Sequence, residues 1–227
     1  MKYPNITKAR FIDRPNRFIA HVDNEGRTET VHVKNTGRCR ELLVLGCDVW
    51  LTAPGTSGRK TRYDLVAVRK SNGLLVNIDS QAPNKAVMER LSGYGYDRVV
   101  PEYVYGNSRI DFYMEKDDER ILMEVKGCTL ERDGVGYFPD APTERGVKHI
   151  RELIKAVRDG YRAVLAFVIQ MEGITEVRPN VDTHPEFGEA WKDALQAGVE
   201  IIFYLCRVEA DTLVITEKVT LPHFRTF

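Results

Sequence analysis

Ser108-Arg109-Ile110-Asp111-Phe112-Tyr113-Met114 and Arg120-Ile121-Leu122-Met123-Glu124-Val125-Lys126 flank the polar string Lys116-Asp117-Asp118-Glu119. Both flanks put an apolar residue at every second position, the period of a strand with a buried face. A connection so short and polar predicts an antiparallel hairpin. Its register follows from the side chains, because a slip of one residue would turn a whole apolar set outward. Met114 is expected opposite Ile121, Phe112 opposite Met123 and Ile110 opposite Val125. The same register sets Asp111 opposite Glu124, Arg109 opposite Lys126 and Glu115 opposite Arg120.

Two carboxylates facing each other on one sheet face repel. A divalent cation between them turns that cost into a ligand set. Mg²⁺ or Mn²⁺ suits it, since a hard cation takes one or two carboxylates and completes its shell with water and phosphate oxygens. Asp111 and Glu124 are the candidate metal ligands. Lys126, two residues on, is placed to orient a water or to neutralise charge developing on phosphorus. Glu-x-Lys alone is a common solvated strand face; the aligned Asp111 shifts the balance toward chemistry.

Outward from the hairpin, residues 81–227 alternate helices and strands. Helices are predicted over 84–91, with Asn84 as N-cap, over 143–159, closed by Gly160, and over 186–197, closed by Gly198. The middle helix is expected to bury Val147, Ile150, Ile154 and Val157. Strands are predicted over 99–105, 108–114, 120–128, 162–170, 199–207 and 212–220. Residues 1–80 read as all-β, with strands at 17–22, 28–33, 49–52, 63–69 and 74–78 separated by turn clusters, a pattern suited to an OB-like barrel. The expected division is an OB-like basic module, 1–80, followed by a nuclease-like unit, 81–227.

The 227 residues are 43% hydrophobic and 29% charged, with net charge zero. The average hides a division: residues 1–80 hold 14 Lys and Arg against 8 Asp and Glu, a net of +6, and the remainder holds 19 against 25, a net of −6. A basic first half points to a polyanionic partner. The longest apolar run, Ala163 to Ile169, is too short to span a bilayer, so no membrane role is expected. Cys39, Cys47, Cys128 and Cys206 show no paired spacing and read as reduced thiols of a cytoplasmic protein.

The order helix, three strands, helix, strand, with Asp on the second strand and Glu-x-Lys on the third, resembles the restriction-endonuclease-like superfamily defined by its PD-(D/E)xK motif. Ile110 stands where that motif has Pro. The resemblance implies supporting roles for Glu89 on the preceding helix and Gln170 after the next buried strand. The strings Arg14-Pro15-Asn16-Arg17-Phe18, His32 to Arg38, Tyr105 to Phe112 and Phe138-Pro139-Asp140-Ala141 through His149 are similar to the sugar fermentation stimulation protein A family, across nearly the whole chain. Cys39, where Met is usual, and Pro142 depart from its pattern. That resemblance implies an OB-like domain, an αβββαβ nuclease-like domain and DNA binding without strong sequence preference. Two functions follow as alternatives: a Mg²⁺-dependent phosphodiesterase, or a non-catalytic DNA-binding regulator of sugar, particularly maltose, metabolism.

Candidate DNA contacts are Arg17, Asn35, Arg38, Arg59 and Lys60, at strand ends or in loops of the basic module. RNA offers the same phosphates. Phe11, Phe18 and Tyr63 are candidate stacking residues, although barrel aromatics usually fill the core. Arg145, Lys148 and His149 open the long helix, where free N–H groups favour anions, so a phosphate would rationalise cations there. Pairing of Glu144 with Lys148 is the plainer account of that turn.

Overall fold

A computed structural model describes residues 1–35, 37–55 and 58–221. Thr36, Thr56 and Ser57, from two of the predicted binding loops, and His223 lie outside the described residues. The first half folds as β1 (Ile6–Asn16), β2 (Ile19–Asn24), β3 (Arg27–Val33), β4 (Asp48–Thr52), β5 (Asp64–Arg69) and β6 (Leu75–Asn77). They form one sheet in the order β3-β2-β1-β4-β5-β6, and β3 also pairs parallel with β5, which closes it into a barrel. Val22, Val31, Val33, Val49, Leu51 and Leu65 fill its interior. The OB-like expectation holds, with one strand more than the sequence predicts.

That strand is β1. It buries only Ala9 and Phe11 among charged neighbours, so its apolar signal is faint. Register shifts after Phe11 and Asp13 bend it around the barrel. Arg17 and Phe18, expected at the start of a strand, instead form the β1–β2 turn. Asn16 Oδ1 holds that turn by accepting the N–H groups of Phe18 and Ile19.

The second half runs α1 (Ala82–Leu91), β7 (Arg98–Tyr105), β8 (Ser108–Lys116), β9 (Glu119–Cys128), β10 (Leu130–Arg132), β11 (Val135–Phe138), α2 (Glu144–Arg158), β12 (Arg162–Ile169), β13 (Glu176–Pro179), α3 (Pro185–Gln196), β14 (Glu200–Glu209) and β15 (Thr212–Thr220). Six strands make a mixed sheet, β15-β14-β12-β9-β8-β7, with β9, β12 and β14 parallel. The parallel strands are buried on both faces. Ala86, Val87 and Leu91 of α1 belong to the apolar cluster of Phe112, Met114 and Met123. Ile150 and Leu153 of α2 and Trp191 of α3 join the other cluster, with Leu122 and Phe167. Strands β10, β11 and β13 form a small second sheet, unforeseen because runs of three or four residues carry no periodic signal.

Helix boundaries follow their caps. The Thr143 side chain accepts the Gly146 N–H at the start of α2, and Gly160 adopts φ +81° just past its end. Its buried stripe is Gly146, Val147, His149, Ile150, Leu153 and Ala156, rotated from the predicted one, so Ile154 and Val157 sit at the margin. The two halves interlock. Gln170, just past β12, accepts the Asn77 N–H on its backbone oxygen, and Lys70 pairs with Glu131. At the chain start, Tyr3 N donates to Asp211 O, seating the first residues beside β15. Among the described residues no helix is long and apolar enough to cross a membrane.

Candidate metal centre and nucleic-acid interface

Strands β8 and β9 pair as predicted from Glu115–Arg120 through Met114–Ile121 to Phe112–Met123, with Lys116–Glu119 of the expected connection as one further pair, and beyond Phe112–Met123 the ladder stops. At the next position the Asp111 carboxylate accepts the Val125 N–H at 2.8 Å, taking a donor that a continued ladder would give to a β8 carbonyl. The β7–β8 ladder lapses at the same place, opposite Glu102, whose φ is +53°. This break corrects three expected pairs. Ile110 packs with Tyr113 and Leu122, on the face away from Phe112 and Val125. Arg109 pairs across to Glu102 at 3.3 Å rather than with Lys126. Asp111 and Glu124 meet at the mouth of two diverging strands, not as rungs of a ladder.

Glu124 is 2% exposed. Its Oε1 accepts from Lys126 Nζ at 2.6 Å and from His149 Nδ1. Its Oε2 is buried and has no hydrogen-bond partner. Burial alone would push this carboxyl up, but the Lys126 charge and the His149 hydrogen bond outweigh it and hold it below its ordinary value. Asp111 moves the other way: burial first, then the Glu124 charge, push it up. Its oxygens are both engaged, Oδ1 with the Asn84 side-chain amide at 2.7 Å and Oδ2 with Val125 N–H.

An ionised carboxylate with a bare buried oxygen, beside a second carboxylate that feels its charge, suits a hard cation. Among the described residues no three His, Cys, Asp or Glu side chains form a ready cage. Mg²⁺ and Mn²⁺ do not require one, because water and phosphate can fill the remaining positions.

The other sequence-predicted residues divide. Glu89 lies on α1 but is 61% exposed, and its carboxylate pairs with the Met1 amino group at 2.7 Å. Helix α1 reaches the site through Asn84 instead, which therefore does not cap the helix; Gln81 occupies that position. Gln170 is buried, and its amide donates to Asn77 Oδ1 and to the Asn77 and Asp79 carbonyls. A Cβ on Gly127, next to Lys126, would overlap the Gln170 amide oxygen and the Pro83 ring. Gln170 thus braces the strand behind Lys126, and its amide nitrogen is spent on Asn77 and Asp79.

His149, expected to face phosphate, is buried against Glu124. The sequence carries a signal for this: Gly146, His149, Leu153 and Ala156 recur at three- and four-residue spacing, which puts His149 on the sheet-facing side. Arg145 and Lys148 remain exposed at the start of α2. Arg145 Nε donates to His149 Nε2 at 3.3 Å, and Lys148 Nζ to the Asn107 carbonyl at 3.1 Å.

On the barrel, Arg14 organises the basic surface. Its guanidinium donates to the carbonyls of Arg17, Asn35, Gly37 and Arg38, at 2.6–2.9 Å. A groove beside it is lined by Arg17, Arg38 and Arg40, with Leu43 and Ala141. All three arginines are exposed, and the ring of Phe18 is 50% exposed under the Arg17 guanidinium. Phe11 and Tyr63, the other candidate stackers, are core residues.

Asn35 is committed internally, donating to Ile78 O and accepting from Gly37 N. Arg59 is likewise spent on the buried Asp64 carboxylate, while Lys60 stays exposed. The second half closes the groove: a Cβ on Gly37 would overlap an Asp140 carboxylate oxygen, so the loop before α2 packs directly on the barrel backbone.

A closed OB-like barrel joined to a mixed sheet with helices on both faces defines a two-part protein with a restriction-endonuclease-like second half. The SfsA N-terminal OB domain matches residues 12–78, and the sugar fermentation stimulation protein RE domain matches residues 76–212. The chain belongs to the sugar fermentation stimulation protein family. It is 50% identical over 224 residues to the sugar fermentation stimulation protein homolog of Desulfitobacterium hafniense (strain Y51), covering 97% of this chain and 98% of that one. The homolog from Clostridium beijerinckii is 48% identical over 223 residues, covering 96% and 98%. The solved structure of Pyrococcus furiosus SfsA in complex with Ca²⁺ superposes with a TM-score of 0.85 at 30% identity, over 97% of each chain.

Proposed function

We propose that this protein binds DNA and hydrolyses phosphodiesters at a divalent-cation site formed by Asp111 and Glu124. The observation that carries this reading is the buried, unpartnered Oε2 of Glu124 beside Asp111. The Pyrococcus furiosus relative was solved with Ca²⁺, a hard, oxygen-seeking cation of the same kind as Mg²⁺ and Mn²⁺. A bound Mg²⁺ or Mn²⁺ supplies Lewis-acid stabilisation of phosphoryl oxygens and a more acidic water. Asp111 and Glu124 would hold it, and Asn84 and the Val125 N–H fix the Asp111 carboxylate. Lys126, anchored on Glu124 Oε1, presents an ammonium that offsets charge developing on phosphorus. Arg145 and Lys148 flank the site from the start of α2.

The barrel groove supplies the phosphate contacts through Arg17, Arg38 and Arg40, and Phe18 offers an open ring for a base to stack on. We assign the binding module to residues 1–80 and the nuclease-like unit to 81–227. Free thiols at all four cysteines suit a reducing cytoplasm.

One observation favours a second reading, a non-catalytic DNA-binding regulator of sugar metabolism. Lys126 already sits on Glu124, so the site is partly neutralised without a cation.

A cleavage assay on single-stranded, duplex and flapped DNA, with Mg²⁺, Mn²⁺ or EDTA, decides between them. Metal-dependent cleavage lost in both Glu124→Gln and Lys126→Ala, with DNA binding retained, is the expected result. Wild type inactive on every form, with no Mn²⁺ binding by calorimetry in the presence of DNA, overturns the enzyme reading.

A further inference from the structure

His149 holds Glu124 from the helix side, and its two ring nitrogens have different partners. Nε2 receives the Nε–H of Arg145, and a guanidinium N–H can only donate. That nitrogen therefore carries no proton. The hydrogen bond between Nδ1 and Glu124 Oε1 then uses a proton on Nδ1, directed at the carboxylate. Lys126 donates to the same oxygen, so Oε1 is occupied twice and Oε2 not at all.

We propose that His149 is a positioning residue. It pins Glu124 by Oε1 through its Nδ1–H, so that Oε2 alone is presented to the cation, and Arg145 fixes the tautomer that makes this possible. The inference rests on the cation site proposed above. The arrangement follows from the fold. Thr143 caps α2, the helix rotation buries His149, and β9 brings Glu124 beneath it.

The test compares Mn²⁺ affinity, read by electron paramagnetic resonance of free Mn²⁺, in wild type and three variants. Outer-shell partners of this kind typically change metal affinity by about 10–100-fold. His149→Ala is expected to weaken Mn²⁺ binding within that range. His149→Asn should restore most of it, because its side-chain amide nitrogen falls close to the place of Nδ1. His149→Gln, whose amide reaches toward the place of Nε2, should not. Equal affinities for the Asn and Gln variants, or no change in a folded His149→Ala protein, would show that the ring merely packs and overturn the proposal.

Nitrogen-15 NMR of the wild-type ring gives a check that needs no variant. A proton on Nδ1, aimed at Glu124, is expected, and a ring whose only N–H is at Nε2 overturns the proposal. Wild type with no Mn²⁺ affinity would sink the cation site itself, and this inference with it.

Discussion

Asp111 Oδ2 accepts the Val125 N–H at 2.8 Å, so the first carboxylate of the site is bonded into the strand that carries the second. The bond fixes Asp111 near Glu124, where burial first and then the Glu124 charge push its carboxyl up. Asp111→Asn removes the repulsion. Asn84 can turn its amide to keep the contact, and the new side-chain oxygen can still accept from Val125.

The metal-free variant is therefore expected to melt at or slightly above wild type. Saturating Mn²⁺ should raise only the wild-type Tm, since binding at 100 times Kd adds about 2.7 kcal/mol. For a chain of this size that is on the order of 5–10 °C. Equal Mn²⁺ shifts in both proteins would remove Asp111 from the ligand set.

How much of this was readable beforehand depends on where the signal lay. Strict alternation fixed the hairpin register from Glu115 to Phe112, because burial of one face leaves no alternative. It could not foretell that Asp111 would take a backbone N–H and part the strands. Glu124 and Lys126 were recoverable as a motif, whereas their buried partner competes with a second stripe on the same helix. The stripe through Val147, Ile150, Ile154 and Val157 is nearly as apolar as the true one, and a histidine adds nothing to a hydrophobic pattern. Arg40 lines the groove but lies between two predicted strands in a stretch with no periodic signal, so nothing in its spacing marks it. Arg59 reads as a free loop cation because its buried partner, Asp64, is five residues away.

The halves are joined by Lys70, which donates to the Glu131 carboxylate and to its carbonyl at 3.2 Å. Burial would raise the Glu131 carboxyl, but the Gly134 N–H and Lys70 outweigh that and lower it. A depressed carboxylate stabilises the fold above its unfolded pKa and loses that contribution as pH falls through its folded value. Lys70→Met leaves a buried charge unpaired, expected to cost about 3 kcal/mol at pH 7. In the variant, protonating Glu131 relieves the defect, so its gap from wild type should narrow as pH falls toward 4. Urea midpoints at both pH values check this; a gap that widens in acid contradicts the pairing.

Three of the four cysteines, Cys39, Cys128 and Cys206, are buried. Burial first, then the Asp140 charge, push Cys39 and Cys128 up to about 12, and burial does the same to Cys206. The thiolate is the reactive form, so at pH 8 these three should resist a disulfide reagent for as long as the fold holds. Cys47 is only half-buried and should react slowly, one thiol per chain, with all four reacting in denaturant. More than one fast-reacting thiol in the native protein would contradict the packing around Asp140.

The groove assignment makes the sharpest demand on binding data. Arg17, Arg38 and Arg40 are exposed, and no carboxylate pairs with any of their guanidinium groups among the described residues. Arg59, in the same basic module, is held by Asp64. Each phosphate contact releases about 0.9 counterion from duplex DNA, so each lost contact flattens the plot of log affinity against log salt by about 1. Arg38→Gln with Arg40→Gln should thus lower the slope by about 2 and weaken unrelated duplexes alike.

Arg59→Gln should do something different. It strands the Asp64 carboxylate beside His32 and Lys34, lowering stability while leaving the salt slope nearly unchanged. Adding Phe18→Ala separates stacking from charge. It should weaken single-stranded DNA more than duplex, with no change of slope, because a ring displaces no counterions. If Arg59→Gln flattens the slope as much as the Arg38 and Arg40 pair does, the phosphate track runs over the Arg59–Lys60 loop and not through the groove.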